Sequence, residues 1–276
     1  MQFAKGHGTQ NDFVLLPDID GALTLTPALV RALCDRRAGI GADGVLRVVP
    51  TAKVDEVAHL AGQADWFMDY RNADGSVAEM CGNGVRVYAR WLQEAGLAGD
   101  GVLPLATRDG LKAVTLAGDG DITVDMGPPQ LPGRQRQVRA AGRTWSGLEV
   151  WMGNPHVVVE VGDPGEAGPL TEPPEVDFDT NVEFVSVRGP GQLVMRVHER
   201  GAGETRSCGT GACAAAVAVA VRSGHDQGSW AVEVPGGCLQ VRWTGRTVLL
   251  TGPAVIVLEG TVDERWLAGI RPTADK

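Results

Sequence analysis

Short runs of alternating or β-branched apolar residues recur along the whole chain, and this pattern predicts a protein built mainly of strands. The runs that predict strands cover residues 12–16, 44–50, 64–70, 111–118, 121–126, 156–162, 181–187, 193–199, 231–237, 238–243 and 254–260. Helical patterns are few. Thr26 followed by Pro27 matches an N-cap with proline in the first turn, and it predicts a short helix that ends near Cys34.

Two longer helices are predicted directly after Cys81 and Cys208. Gly96 and Gly224 follow their last periodic residues and mark the C-terminal ends. The helix after Cys208 consists almost entirely of alanine and valine. Because a helix that is apolar all round is usually enclosed, we expect this one to be buried among strands.

A weak internal repeat surrounds the two cysteines. Asn72 lies nine residues before Cys81, and Glu199 lies nine residues before Cys208. A glycine-containing turn leads into the cysteine and its helix in both cases. A second matching pair of segments, each with an asparagine that enters a strand, covers residues 10–16 and 153–159. The repeat predicts two related halves.

Length and composition indicate an ordinary globular protein and exclude several classes. The 276 residues suffice for roughly two domains, and hydrophobic residues make up 43% of the chain. The net charge of −9 and the lack of a Lys/Arg run argue against a nucleic-acid partner. An odd number of cysteines, five, in a chain of this length argues against a secreted disulfide framework.

The sequence predicts a cytoplasmic, unprocessed protein with no membrane partner. Its N-terminal segment has no apolar core of the kind that signal peptides carry. The longest apolar run, residues 212–221, is shorter than the roughly 18 residues that cross a bilayer.

The sequence predicts neither a dinucleotide site nor a metal site. "GIGADG" at 39–44 matches the spacing GxGxxG, but no strand precedes it and no helix follows it, so a dinucleotide site is not predicted. A glycine-rich turn explains the segment. No CxxC or HExxH spacing is present, and we therefore expect no metal site.

The cysteines divide into two groups. Cys34, Cys213 and Cys238 are interpreted as small buried apolar residues, the usual role of a free cysteine. Cys81 and Cys208 instead begin glycine-flanked helices, where free N–H groups and the helix dipole lower the pKa of a thiol from about 8.5 towards neutrality. The flanking glycines leave those N–H groups open to a carboxylate: Gly82, Gly84, Gly209 and Gly211.

Two such thiols on opposite faces of one carbon would invert a stereocentre. One thiolate removes the proton next to a carboxylate, and the helix N-termini stabilise the negative charge that moves into that carboxylate. The opposite thiol returns a proton to the other face. Because the two thiols would share a small site, we expect them to titrate as a coupled pair, with one thiolate and one thiol in the active form.

The residues resemble the diaminopimelate epimerase family over nearly the whole chain. The matching segments, in the family's order, are "GHGTQNDFVLL", "GIGADGV", "NADGSVAEMCGNGVR", "GNPHVVV", "NVEFV", "HERGAGETRSCGTGACAAAVA" and "VPGGCLQV". One departure is Gly44, since some family members carry a glutamine there. Any substrate contact from that side chain is absent here, and Gly44 is left out of the site.

The resemblance implies an α+β fold. It comprises two similar domains related by pseudo-twofold symmetry, each with strands curled around a central helix, and an active site in the interdomain cleft. The first domain is expected to contain residues 1–119 and 262–276 with Cys81, and the second residues 120–261 with Cys208. The resemblance further implies the small-molecule substrate diaminopimelate, no cofactor and a homodimer.

The resemblance also implies a role for each matching residue. Cys81 and Cys208 take the positions of the catalytic acid and base. His156 and Glu199 match residues that tune the pKa values of the two thiols. Those that match the substrate contacts are Asn11, Asn72, Gly82, Asn83, Asn154, Asn181, Glu199, Arg200, Gly209 and Thr210; the set at 72, 154, 181 and 200 would hold the distal amino acid group.

Each residue of that distal clamp also has a structural interpretation. Asn72 and Asn154 suit turns, Asn181 suits a strand cap, and Arg200 suits a solvated surface. Taken together they fit a distal amino acid group, because a carboxylate prefers a guanidinium and an ammonium prefers amide oxygens. A lone histidine such as His156 is more often structural, so its tuning role rests on the resemblance.

Two alternative functions remain. A proline or hydroxyproline racemase also uses two cysteines at helix ends, but such enzymes typically carry histidine at the position of Asn83. The other alternative is a non-catalytic amino-acid-binding or thiol redox protein, in which Cys81 and Cys208 form a switch disulfide. A pure redox protein has no need for the asparagine and arginine clamp.

Overall fold

The computed structural model describes residues 1–270, and it confirms the predicted mixed α and β class, in which strands dominate. Its contacts divide the chain into two compact units. The first unit contains residues 1–8, 12–122 and 253–270, and the second contains residues 9–11 and 123–252.

The elements of the first half of the chain are, in order, β1 (Gln2–Gly8), β2 (Asn11–Pro17), α1 (Pro27–Cys34), β3 (Gly44–Pro50), β4 (Trp66–Asn72), α2 (Gly82–Glu94), β5 (Gly101–Thr107), β6 (Gly110–Leu116) and β7 (Ile122–Asp125). Two 3-10 helices join β3 to β4: Thr51–Lys53 and Asp55–Leu60. The predicted cap of α1 is confirmed, since the Thr26 side chain accepts a hydrogen bond from the Leu29 N–H and Pro27 begins the helix.

The remaining elements are β8 (Gln135–Ala140), β9 (Arg143–Trp151), β10 (Pro155–Glu160), β11 (Asn181–Gly189), β12 (Gln192–Glu199), β13 (Gly203–Thr205), α3 (Gly209–Arg222), β14 (Gly228–Val234), β15 (Gly237–Trp243), β16 (Val248–Gly252), β17 (Val255–Thr261) and α4 (Glu264–Ala268). A 3-10 helix, Pro164–Ala167, lies between β10 and β11. Among residues 1–270, no helix has the length and apolar character needed to cross a membrane.

The chain returns to the first unit before residue 262, where the sequence analysis placed the domain boundary. Strand β17 pairs antiparallel with β1, from Gln2 opposite Thr261 to His7 opposite Val255. This pairing assigns the chain from residue 253 onward to the first unit. The last part of the predicted first domain, 271–276, lies outside the described residues.

In the first unit, strands surround helix α2. β2 pairs parallel with β3, β3 antiparallel with β4, β4 parallel with β5, and β5 antiparallel with β6. Helix α2 packs against β1, β3, β4, β6 and β17. Its Tyr88 is fully buried and donates a hydrogen bond from its hydroxyl to the Phe67 carbonyl at 2.9 Å. The helix ends before Gly96, whose φ of 70° suits glycine.

The second unit repeats this pairing scheme around α3. β10 pairs parallel with β11, β11 antiparallel with β12, β12 parallel with β14, and β14 antiparallel with β15. Helix α3 packs against β9, β10, β11, β12, β14, β15 and β16, and every residue from Gly209 to Ala220 is buried. The predicted burial of this helix is confirmed, as is its end before Gly224 at a φ of 75°.

The common pairing scheme establishes which positions correspond in the two units. Phe13 on β2 lies opposite Gly44 on β3, as His156 on β10 lies opposite Asn181 on β11. The strand that follows ends at Asn72 in the first unit and at Glu199 in the second, and a turn then leads to a cysteine that caps the central helix. The two similar units expected from the sequence repeat are therefore confirmed.

Candidate functional site

Cys81 is the N-cap of α2. Its backbone is extended, with φ −145° and ψ 118°, and its sulfur accepts a hydrogen bond from the Gly84 N–H at 3.4 Å. The thiol is partly exposed. We call residues 81–84 the α2 end. Because the backbone N–H groups of a first helical turn have no partner within the helix, the α2 end is suited to a negative charge on sulfur or on a bound carboxylate.

Cys208 caps α3 with nearly the same geometry. Its φ is −122° and its ψ 116°, and its sulfur accepts a hydrogen bond from the Gly211 N–H at 3.3 Å. The Thr210 hydroxyl lies 3.4 Å from the same sulfur. Unlike Cys81, this cysteine is buried. We call residues 208–211 the α3 end.

The electrostatic environment of Cys208 reverses one expectation. Burial raises the pKa of the Cys208 thiol well above its usual range, and the nearby carboxylates of Glu199 and Glu183 raise it further. The hydrogen bonds from Thr210 and Gly211 oppose this shift without cancelling it. The sequence predicted that the helix end would lower the pKa; for Cys208 that prediction is wrong, because desolvation and like charge outweigh the helix end.

Glu199 lies at the end of β12 and contacts the Cys208 thiol. Burial of its carboxyl group raises its pKa, while hydrogen bonds from Thr205 and Cys208 oppose the rise. The Thr205 hydroxyl donates to Glu199 Oε1. At neutral pH this arrangement favours a protonated Cys208 that donates its hydrogen to the Glu199 carboxylate.

His156, the other predicted tuning residue, is fully buried and has two partners within the second unit. Its Nδ1 lies 2.7 Å from Glu183 Oε1, and its Nε2 lies 2.9 Å from Asn154 Oδ1. Glu183 is fully buried as well. Both ring nitrogens are therefore engaged with oxygen atoms of the same unit.

The hydrogen bonds of the three clamp asparagines determine which atoms each can offer to a ligand. The Asn181 Oδ1 accepts the Arg200 backbone N–H at 2.9 Å, and the Asn154 Oδ1 faces the imidazole ring, so their NH₂ groups are the atoms left for a ligand. The Asn72 NH₂ group donates to the Ser76 hydroxyl at 3.0 Å, which leaves its oxygen for a ligand. Two amides thus suit a carboxylate, and the third suits an ammonium group.

Arg200 combines a fixed backbone with an exposed guanidinium. Its backbone N–H is held by Asn181, whereas its side chain is 49% exposed and lies 3.5 Å from the Asp179 carboxylate. A cavity of about 320 Å³ lined by Phe178, Val182 and His198 adjoins the same residue. An exposed cation with one distant partner remains available to an anionic ligand.

Asn11 starts β2, and residues 9–11 belong to the second unit. The Thr9 hydroxyl lies 2.6 Å from the hydroxyl of Ser207, the residue directly before Cys208. Thr9 has a φ of 48°, a left-handed conformation that is rare for a β-branched residue. A Cβ on Gly236 would lie 1.8 Å from the Thr9 carbonyl oxygen, so the turn before Asn11 requires glycine at position 236.

Arg86 and Glu183 are site residues to which the sequence analysis assigned no role. Arg86 is fully buried, donates to Asn83 Oδ1 at 3.0 Å, and contacts the Gly82 carbonyl oxygen at 3.4 Å. It therefore places a positive charge beneath the α2 end. Both residues lie within the quoted motifs, but a charged residue in an apolar periodic segment is the signal that would have marked them.

The fold matches several solved structures at low sequence identity. A phenazine biosynthesis protein of the PhzF family from Bacillus anthracis matches at TM-score 0.67 and 16% identity, covering 95% of this chain and 98% of that one. A probable proline racemase from Agrobacterium radiobacter matches at 0.66 and 16%, covering 95% and 93%. A hydroxyproline epimerase from Agrobacterium vitis matches at 0.66 and 17%, covering 94% and 91%. The chain therefore has a fold that racemases and epimerases share.

Sequence comparison identifies the family within that fold. The family model "Diaminopimelate epimerase" matches residues 3–132 and 149–257. Curated relatives of that name include proteins from Streptomyces coelicolor, 54% identical over 97% of each chain, and from Thermobifida fusca, 54% identical over 95% of this chain and 98% of the relative. A Mycobacterium ulcerans relative is 46% identical over 96% and 98%. The chain belongs to the diaminopimelate epimerase family and is an isomerase.

Replacement of Glu199 by glutamine is expected to lower the pKa of Cys208, because it removes the carboxylate that disfavours the thiolate. At a fixed pH below that pKa, Cys208 should react faster with iodoacetamide, about tenfold for each unit by which the pKa falls. Timed alkylation followed by peptide mass mapping measures the rate at each cysteine. Glu204→Gln, on neighbouring β13, is the matched control and should leave the rate at Cys208 unchanged; an unmoved or slower rate in Glu199→Gln would contradict the assignment.

Proposed function

We propose that this protein converts LL-2,6-diaminopimelate to the meso isomer by a two-cysteine transfer of the α-proton, without a cofactor. The observation that carries the proposal is the repeated helix end: each unit presents a cysteine whose sulfur accepts an N–H bond from a glycine of the first turn. The family membership and the names of the relatives support the choice of substrate.

In the proposed reaction both helix ends act on one substrate carboxylate and the carbon beside it. A thiolate takes the α-proton, the electron pair moves into the carboxylate, and the opposite thiol delivers its proton to the other face. Backbone N–H groups of Gly82, Asn83, Gly209 and Thr210 stabilise the charge on the carboxylate. The product leaves with the proton count of the enzyme unchanged, but with the thiol and thiolate exchanged.

The surroundings of the two thiols suggest which is the base towards the LL isomer. The buried cation Arg86 contacts the α2 end at Gly82 and Asn83, where positive charge favours a thiolate. The carboxyl groups of Glu199 and Glu183 raise the pKa of Cys208 and favour a thiol there. We therefore assign proton removal from the LL isomer to Cys81 and proton delivery to Cys208. The roles are reversed in the other direction, as microscopic reversibility requires.

The distal amino acid group is assigned to the clamp. The NH₂ groups of Asn154 and Asn181 and the guanidinium of Arg200 suit its carboxylate, and the free amide oxygen of Asn72 suits its ammonium group. Asn11 and Glu199 are assigned to the reacting end. Such a clamp distinguishes the substrate from proline, which has no second amino acid group.

The proposal extends to the pathway, the cell compartment and the oligomeric state of the enzyme. A meso-diaminopimelate product serves lysine and peptidoglycan precursor synthesis, and we propose that the protein acts in the cytoplasm as a homodimer. Exposed apolar side chains on β17 support a contact with a second copy: Val255, Val257 and Leu258 are 44%, 58% and 47% exposed.

Proton NMR of LL-diaminopimelate in D₂O tests the activity directly. With reduced protein and no added pyridoxal phosphate or metal, we expect loss of the α-proton signal together with conversion to the meso form. Added proline should neither compete nor be turned over. Efficient proline turnover would favour the racemase alternative. Absence of α-proton exchange in protein whose thiols are shown to be reduced would refute the proposed substrate.

Serine variants test the division of labour between the thiols. Cys81→Ser and Cys208→Ser should each reduce epimerisation by about 100-fold or more, because a hydroxyl is a much weaker base near neutral pH. Starting from the LL isomer, Cys81→Ser should lose α-proton exchange, whereas Cys208→Ser should retain more exchange than inversion. The same loss of exchange in both variants would contradict the assignment of Cys81 as the base.

Light scattering after size-exclusion chromatography tests the homodimer. Val257→Lys places a charge on the exposed apolar surface of β17 and should shift the dimer towards the monomer. Val187→Lys, at a position 45% exposed on β11 in the other unit, is the control. A monomeric wild-type protein, or an unchanged dimer in Val257→Lys, would argue against this surface.

A further inference from the structure

Corresponding positions beneath the two helix ends differ in polarity: one is apolar and the other carries a carboxyl group. Beneath the α2 end, a Cβ on Gly84 would lie 3.3 Å from Leu46 and 3.5 Å from Phe13. Beneath the α3 end, a Cβ on Gly211 would lie 2.6 Å from Glu183 Oε1. By the strand registers, Glu183 corresponds to Leu46.

The correspondence extends to the partner of each residue. His156 occupies the β10 position that Phe13 occupies on β2. The first unit therefore fills this place with an apolar pair, and the second with a hydrogen-bonded imidazole and carboxyl pair. The fold does not need the polar pair, because its other half is built without one.

The polar pair is costly to bury. Glu183 and His156 are both fully buried, and the Glu183 Oε2 atom has no hydrogen-bond partner among residues 1–270. An unpartnered buried carboxyl oxygen costs free energy that a leucine would not. A group retained at such a cost is expected to serve the site rather than the fold.

The contact with Asn154 indicates what the pair does. An amide oxygen only accepts hydrogen bonds, so the His156 Nε2 at 2.9 Å from Asn154 Oδ1 carries a hydrogen. Nδ1 lies 2.7 Å from the Glu183 carboxyl oxygen Oε1, so the ring is held from both sides. Glu199 on β12 and Cys208 at the α3 end are the other ionisable groups on this side.

We propose that Glu183 is a positioning residue: through His156 it holds the Asn154 amide with its oxygen inward and its NH₂ group towards the distal carboxylate of the substrate. This inference rests on the proposed function for the identity of the ligand. The His156 ring links the two residues, because Glu183 fixes its Nδ1 and its Nε2 in turn fixes the Asn154 amide oxygen. Loss of Glu183 frees the ring and, with it, the amide.

Glu183→Leu is the main test, since leucine is the residue at the matching position of the first unit. We expect KM for LL-diaminopimelate to rise about tenfold, because one oriented hydrogen bond to the substrate is lost. L-lysine, which lacks the distal carboxylate, serves as a second probe. Its inhibition constant should be the same in the variant and the wild type.

Two further variants separate positioning from charge and from folding. Glu183→Gln keeps a hydrogen-bonding group beside Nδ1 and should return KM to within about threefold of the wild type. The double variant His156→Phe with Glu183→Leu reproduces the apolar pair of the first unit, so its melting temperature should be at least that of the wild type while the defect in KM remains. Glu149→Leu, which removes another buried carboxylate from the second unit, is the matched control.

A readout without substrate distinguishes this proposal from the proposed function. In ¹⁵N-histidine-labelled wild-type protein the His156 Nε2–H should give a protected resonance, lost or broadened in Glu183→Leu and recovered in Glu183→Gln. Three results would overturn the proposal. They are an unchanged resonance in Glu183→Leu, a loss of L-lysine binding as large as the rise in KM for diaminopimelate, and a Glu183→Gln variant as impaired as Glu183→Leu. A wild type without α-proton exchange would count against the proposed function alone.

Discussion

The contact on which the site depends is a cysteine sulfur that accepts the N–H of the third residue of a helix. In both units this bond, at 3.4 Å to Gly84 and 3.3 Å to Gly211, fixes the thiol over the first helical turn. Glycine is needed there because strands pack directly beneath the turn, and a Cβ at Gly211 would press on Glu183. The same glycines that admit the strands also leave the backbone N–H groups open to a ligand.

Repetition of the fold does not make the two helix ends equivalent. Arg86 brings a cation under the α2 end, where the repeat has Cys213 in the second unit. Glu183 brings a carboxyl group under the α3 end, where the first unit has Leu46. The proposed two-base mechanism needs one thiolate and one thiol at the start. The cation beneath the α2 end favours the thiolate there, and the carboxyl groups near Cys208 favour the thiol.

Periodic apolar segments were sufficient to predict most of the fold. Each predicted strand segment overlaps a strand, but six strands were not predicted: β1, β5, β8, β9, β13 and β16. In β8 and β9 the first residues are polar and largely exposed, so no apolar alternation marks them. The two cysteines were recognisable because helix capping is a local property of the chain. The raised pKa of Cys208 was not, since it depends on Glu183 and Glu199, which come from two other strands. Local sequence predicts a helix end, but burial is decided by tertiary packing.

The clamp illustrates the same limit in its hydrogen bonds. An asparagine offers either an acceptor or two donors, and the sequence does not reveal which. In the structure the choice follows from neighbours: the Arg200 backbone takes the oxygen of Asn181, Ser76 takes the NH₂ group of Asn72, and His156 takes the oxygen of Asn154. The amides alone would accept many small polar ligands. Fixed by these partners, they suit the distal amino acid group of the proposed substrate. Under the proposed function, selectivity depends as much on the residues that orient the amides as on the amides themselves.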